Sequence, residues 1–205
     1  MTETRTVHLA VYDTLADWET GYAAAFIARP WWAGEDWPWR VRTVAKTTAP
    51  ITTLGGVRIV PDLALRDLRP DDSEMLILPG ANLWDVGGGA AFTSAARAFL
   101  DTGVPVAAIC GATFGLARDG LLDDRAHTSS ALAYLEASGY AGADHYVDQP
   151  AVTDGDLITA GPTNPIEFAR AIFTRLDLFG DRPTDAWYRL FKHSDPAAYY
   201  ALASA

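Results

Sequence analysis

Cys110, the one cysteine in a chain of 205 residues, sits where the apolar stretch Pro105-Val-Ala-Ala-Ile gives way to the small residues Gly111-Ala-Thr-Phe-Gly115. The first stretch reads as a short buried strand and the second as the opening of a helix. A side chain at such a strand-to-helix bend is lifted above the edge of the sheet, an arrangement known as a nucleophile elbow. The helix start aims unpaired N–H groups and its positive dipole end at the sulfur, which predicts a thiol of lowered pKa. Gly111 and Ala112 suit the bend and are expected to leave space for a substrate. The competing explanation is a buried structural cysteine, a common fate for this residue type. Placement at the bend favours a reactive thiol.

A thiol nucleophile needs a group to move protons and donors to hold a developing oxyanion. Asp17 and Glu19 lie in Asp17-Trp-Glu19-Thr, read as the start of the first helix, and either carboxyl could reach the sulfur. Alternatively they are only favourable charges in a first helical turn. If Glu19 touches the thiol, two adjacent anions are unfavourable, so its carboxyl is expected to hold a proton. Pro79-Gly80-Ala81-Asn82 follows a strand and offers free backbone N–H groups, although Pro-Gly there is usually just a turn.

These groups must be positioned by alternating elements. Strands are expected at residues 7–12, 41–46, 74–78, 105–109 and 126–129, with a hairpin or bent edge at 52–60. Helices are expected at 16–29, 92–102 (ended by Gly103), after Cys110 as far as Gly120, at 130–138 (ended by Gly139) and at 165–178. Residues 145–147 and 157–160 bracket a turn at Asp154-Gly155, which reads as a hairpin. From about residue 181 the chain is aromatic and helical in tendency, broken at Pro196, and suited to covering a sheet edge or a dimer seam. Such alternation predicts an α/β three-layer sandwich around a mostly parallel sheet, with function at the carboxyl ends of the strands. No linker or repeat stands out, so residues 1–205 are expected to form one domain. Four of the seven tryptophans fall within Trp31–Trp39; a packing plug is favoured over an exposed partner surface.

Composition excludes several classes. Hydrophobic residues make up 49% and charged residues 20%, as in a globular protein. The net charge of −10 argues against a nucleic-acid partner. One cysteine cannot form an internal disulfide, and no metal-ligand spacing or cofactor motif stands out, so neither metal nor cofactor is expected. The polar start Met-Thr-Glu-Thr-Arg-Thr and the lack of a long apolar run predict a cytoplasmic protein with no membrane contact.

Taken together, Asp17-Trp-Glu19-Thr, Leu76-Ile-Leu-Pro-Gly80-Ala-Asn, Ala107-Ala-Ile-Cys110-Gly-Ala-Thr and Gly161-Pro-Thr resemble the ThiJ/PfpI superfamily. This group has a class I glutamine amidotransferase-like, flavodoxin-like fold and includes the parkinsonism-associated deglycase and intracellular proteases. The resemblance implies Cys110 as nucleophile, Glu19 as its carboxylate partner, Ala81 and Gly111 as backbone donors, a small-molecule substrate and a homodimer.

The chain also departs from that pattern. Hydrolytic members carry a histidine directly after the cysteine or on the strand following the elbow helix. Here Gly111 follows the cysteine, Ser129 aligns with the strand histidine, and His127 lies two residues earlier, about 6–7 Å along a strand. His8, His145 and His193 have no motif around them, and Asn164-Pro-Ile-Glu167 lacks the histidine of a glutaminase His-x-Glu pair. A Cys-His-acid triad is therefore not expected, nor is peptidase activity. Three classes remain. The first is a cysteine-dependent enzyme acting on a small carbonyl or carbon-nitrogen substrate, as an amidase-like hydrolase, a glyoxalase or deglycase, or an isonitrile hydratase. The second is a redox-sensing stress protein working through oxidation of Cys110. The third is a non-catalytic ligand-binding relative.

Overall fold

The apolar runs form the strands of a central sheet in the computed structural model, which describes residues 4–204. β1 (Arg5–Ala10), β6 (Met75–Leu78) and β7 (Val106–Ile109) are almost wholly buried, as continuous apolar strands covered on both faces must be. With β2 (Trp39–Ala45), β5 (Leu63–Ala64), β8 (Ala151–Asp154) and β9 (Leu157–Ala160) they form a seven-stranded sheet in the order β5-β2-β1-β6-β7-β9-β8. All neighbours are parallel except the edge strand β8, which runs antiparallel to β9. A separate two-stranded hairpin, β3 (Ile51–Thr52) with β4 (Arg58–Ile59), stands beside it.

From β1 the chain steps one way to β2, and from β6 the other way to β7. Right-handed crossovers then place the connecting helices on opposite faces. α1 (Gly21–Ala28) packs on α6 (Pro165–Arg175), whereas α3 (Ala90–Asp101) and α4 (Gly111–Arg118) pack together under β6 and β7. The result is the expected mostly parallel sheet with flanking helices. Short α2 (Asn82–Asp85) leans on α4, and so does α5 (Leu132–Glu136).

Several local expectations change. The first helix starts at Gly21 rather than residue 16, because residues 13–20 form a turn-rich loop tied to its neighbours by Thr14 N–H to Thr52 O and Ala16 N–H to Gly80 O. Residues 126–129 make only a single bridge, His127 with Tyr146, and not a strand. The turn at Asp154-Gly155 is correct, but the strand before it is β8, not residues 145–147. The tail forms α7 (Asp181–His193) and α8 (Pro196–Ala203), the latter capped by the Asp195 carboxylate on Ala197 N–H. α7 covers a helix layer instead of a sheet edge: Trp187 meets Tyr22, Phe26 and Phe173 at ring distances of 4.8–6.0 Å.

The tryptophan segment joins the same packing. Trp32 stacks on Phe26, Trp37 stacks on Phe179 and donates to Ile27 O, and Trp39 is buried. Trp31 alone remains 45% exposed, lying on Tyr199. The plug reading therefore holds for three of these four residues. No helix among the described residues is long and apolar enough to cross a membrane.

Candidate active site

β7 ends at Ile109 and α4 begins at Gly111, so Cys110 alone makes the turn. It does so with φ 59° and ψ −128°, a left-handed conformation that side-chain-bearing residues rarely adopt. Such strain persists only where the surroundings impose it. Here Cys110 N–H is anchored to Ala160 O, and its carbonyl accepts from Thr113 N–H and from Thr113 Oγ1. Ser129, expected from sequence to align with the family histidine, lies with Oγ 2.6 Å from Thr113 Oγ1.

Glu19 is fully buried although it belongs to a loop. Its Oε2 accepts Gly80 N–H at 2.6 Å while Gly80 O accepts Ala16 N–H, so strand end and loop clamp each other. Gly80 is required at this point. A Cβ there would lie 2.8 Å from Cys110 Cβ, 2.9 Å from Sγ and 2.9 Å from Glu19 Oε2. The glycine is thus the gap through which thiol and carboxyl lie side by side. Glu19 Oε1 is buried with no hydrogen-bond partner among the described residues.

Burial raises the Glu19 carboxyl from 4.5 to about 7, against the pull of Gly80 N–H and of the thiol. The thiol also moves up, to about 12, through burial and then through the adjacent Glu19 charge; Gly111 N–H opposes this. The expected raised carboxyl is therefore found. The expected low-pKa thiol is not, because burial and a neighbouring acid outweigh one helix N-terminus. The pair holds its protons jointly.

The turn after β6 supplies fewer donors than its sequence suggests. Gly80 N–H serves Glu19 and Asn82 N–H serves Thr14 Oγ1, leaving Ala81 N–H without an acceptor among the described residues. Gly111 N–H faces the sulfur, and Ala81 O lies 3.4 Å from the position a Gly111 Cβ would take. Gly111 is small for a different reason from the one expected. Fully buried Trp84 fills that space, standing 3.2 Å from the Gly111 Cβ position and 2.4 Å from that of Gly115. Its indole N–H reaches Pro79 O and Tyr12 OH, and Tyr12 OH donates to the same carbonyl. Gly111 and Gly115 of α4 accommodate this tryptophan.

Cys110, Glu19, Gly111 and Ala81 thus gather at the carboxyl ends of the strands, as expected. Asp17 does not join them: its carboxylate takes Thr53 Oγ1 at 2.5 Å and Gly55 N–H at 2.7 Å, holding the β3–β4 hairpin. Nor does His127. It is fully buried, with Nδ1 on Arg125 O and Nε2 on Tyr140 OH, and burial lowers its pKa. Sequence reading missed Asp85 and Tyr134, whose hydroxyl donates to Asp85 Oδ1 at 2.6 Å beside the elbow. Neither lies in a motif; only the packing of α2 and α5 on α4 brings them there. Among the described residues no cluster of three metal-ligating side chains occurs.

A buried carboxyl against an elbow cysteine, on a parallel sheet of this order, defines a class, and comparison with known proteins gives the same one. Residues 5–175 match the DJ-1/PfpI family. The chain is 37% identical to the uncharacterised protease YoaZ of Bacillus subtilis, over 98% of this chain and 97% of that one. The crystal structure of a ThiJ/PfpI family protein from Bacillus anthracis superposes with a TM-score of 0.92 at 36% identity, covering 100% of this chain and 98% of the other. A DJ-1 superfamily protein from Agrobacterium tumefaciens gives 0.83 at 34% identity, covering 93% and 99%. The chain belongs to the DJ-1/PfpI family.

Proposed function

We propose that this protein is a cysteine-dependent enzyme acting on a small carbonyl or carbon-nitrogen electrophile. The observation that carries this reading is the juxtaposition, across Gly80, of Cys110 in a strained elbow with Glu19, a buried carboxyl raised to about 7. A general base is most effective when its pKa lies near the working pH. Because the thiol is weakly acidic, the ionised Glu19 takes its proton as the sulfur attacks. With an aldehyde, the S–C bond forms, the carbonyl π pair moves to oxygen, and Ala81 and Gly111 N–H hold that oxygen. The proton then passes from Glu19 to the oxygen, leaving a neutral thiohemiacetal and an ionised carboxylate.

Glu19 is the carboxyl against the sulfur and no histidine among the described residues is placed there, so addition suits this site better than expulsion of a peptide amine. The name of YoaZ is that of a protease, and in this chain such a reaction would have to proceed without His127. The same reading takes residues 1–205 as one cytoplasmic domain working as a homodimer, on the strength of the family likeness.

Intact-mass analysis tests the proposal. Separate exposure to methylglyoxal, peroxide and iodoacetamide is expected to give a Cys110-dependent aldehyde adduct or its turnover. Cys110→Ser should abolish the adduct, and Glu19→Gln should slow its formation by 100-fold or more. A sulfinate without any aldehyde reaction would favour the redox-sensing alternative. Robust Cys110-dependent cleavage of a peptide would refute the restriction to small electrophiles.

A further inference from the structure

The proposed chemistry leaves one pair of side chains at the site unexplained. Asp85 ends α2, directly after Trp84, the residue that fills the space against Gly111 and Gly115. Tyr134 belongs to α5 and its ring lies 5.0 Å from that of Phe114, on the first turns of α4. Both neighbours of the elbow helix thus deliver a polar group to the same place, where Tyr134 OH donates to Asp85 Oδ1 at 2.6 Å. Asp85 itself is exposed, and Oδ2 has no partner among the described residues. One carboxylate oxygen is therefore locked and the other left open.

The charges that act most strongly on Cys110 are Glu19 and then Asp85, both acidic. Tyr134 likewise feels Asp85, Cys110 and Glu19. In the interior of the site, Glu19 Oε1 is fully buried and has no partner among the described residues. Of the arginines on the adjoining helices, Arg118 is held by Asp119 and Gly88 O, with Nη1 buried and unpartnered, and Arg97 donates to Asp119 O. A site with two carboxyl groups and no cation to balance them is a poor host for an anion and a good one for a cation.

We infer that Asp85, fixed by Tyr134 at the edge of the Cys110 site, selects substrates that carry a positively charged amino or guanidino group near the electrophilic carbon and turns anionic ones away. The inference rests on the reading of Cys110 as the nucleophile. Asp85 acts here as a specificity-determining residue, and Tyr134 positions it. At low salt and the effective dielectric constant of roughly 20 typical near a protein surface, a unit charge within about 12 Å changes a rate by about tenfold or more. Exchanging a cation for an anion should therefore matter by on the order of 100-fold.

The experiment compares three methanethiosulfonates of similar reach, bearing trimethylammonium, no charge or sulfonate. Each forms a mixed disulfide with Cys110 and releases methanesulfinate, and each rate is divided by that for a free small thiol. At low salt the cationic reagent should exceed the anionic one by about 100-fold, with the preference shrinking as salt is added. Asp85→Asn should cut the preference by on the order of 100-fold, leaving little discrimination. Glu74→Gln, the same loss of charge at the opposite end of the sheet, should leave it unchanged. Tyr134→Phe keeps the charge but frees it, and should fall between wild type and Asp85→Asn. Normal labelling by the neutral reagent without charge discrimination, or a preference that survives both Asp85→Asn and high salt, would overturn the inference while sparing the nucleophile. If the neutral reagent fails to label Cys110, the underlying reading falls and the inference with it. Should Asp85→Asn not fold, the salt dependence of the wild-type preference decides alone.

Discussion

Replacing Glu19 by Gln should change the pH dependence of folding in a calculable way. In the unfolded chain this carboxyl ionises near 4.5; in the folded protein burial delays ionisation to about 7. Between those values the native state keeps a proton that the unfolded state has lost, so stability falls as pH rises. The contribution is fully present below pH 4.5 and fully lost above pH 7. At about 1.4 kcal/mol per pH unit, the rise from 4.5 to about 7 corresponds to about 3 kcal/mol. That is a large share of the 5–15 kcal/mol that typically separates folded from unfolded domains. Glutamine keeps an acceptor for Gly80 N–H but does not titrate. Urea unfolding of both proteins at closely spaced pH values from 4 to 8.5 isolates the term, because the other titrating groups cancel in the difference. Relative to wild type, Glu19→Gln should gain about 3 kcal/mol between pH 4.5 and 7 and then level off. A difference independent of pH, or one that favours wild type as pH rises, would show that Glu19 is not held protonated by its burial.

Gly80→Ala should separate thiol from carboxyl, since its Cβ would lie within 3 Å of both. A loss of about 1–3 kcal/mol in stability and a changed pH profile of Cys110 alkylation are expected, measured by thermal unfolding and by mass. His127→Leu should cost about 1–3 kcal/mol by stranding Arg125 O and Tyr140 OH. It should leave the Cys110 alkylation rate unchanged, and a fall of tenfold or more would return the histidine to the site.

Much of the architecture can be read along the chain because local pattern and burial agree. Residues 74–78 and 105–109 are short apolar runs between polar flanks, and they are β6 and β7. Gly103 stops α3 with φ +76°, as its position after the helical pattern suggests. Glu19 and Cys110 were legible from motif and bend. What misled was helix propensity without tertiary context: Ala16 to Thr20 looks helical, yet Glu19 can reach Gly80 only if that segment forms turns instead. The thiol's acidity was misjudged for a similar reason. A helix N-terminus is visible in sequence, whereas the desolvation and neighbouring charge that outweigh it are not. Asp85 and Tyr134 are 49 positions apart and meet through the packing of two short helices, so no spacing rule could have paired them.

The left-handed backbone at Cys110 sets the protein's folding interest against its chemistry. A residue with a side chain held there costs of order 1–3 kcal/mol, and glycine would relieve most of it. A variant library sorted on thermal tolerance alone should therefore enrich Cys110→Gly and discard the sulfur. Redesign of this scaffold for stability alone would erode the nucleophile unless position 110 were withheld from it.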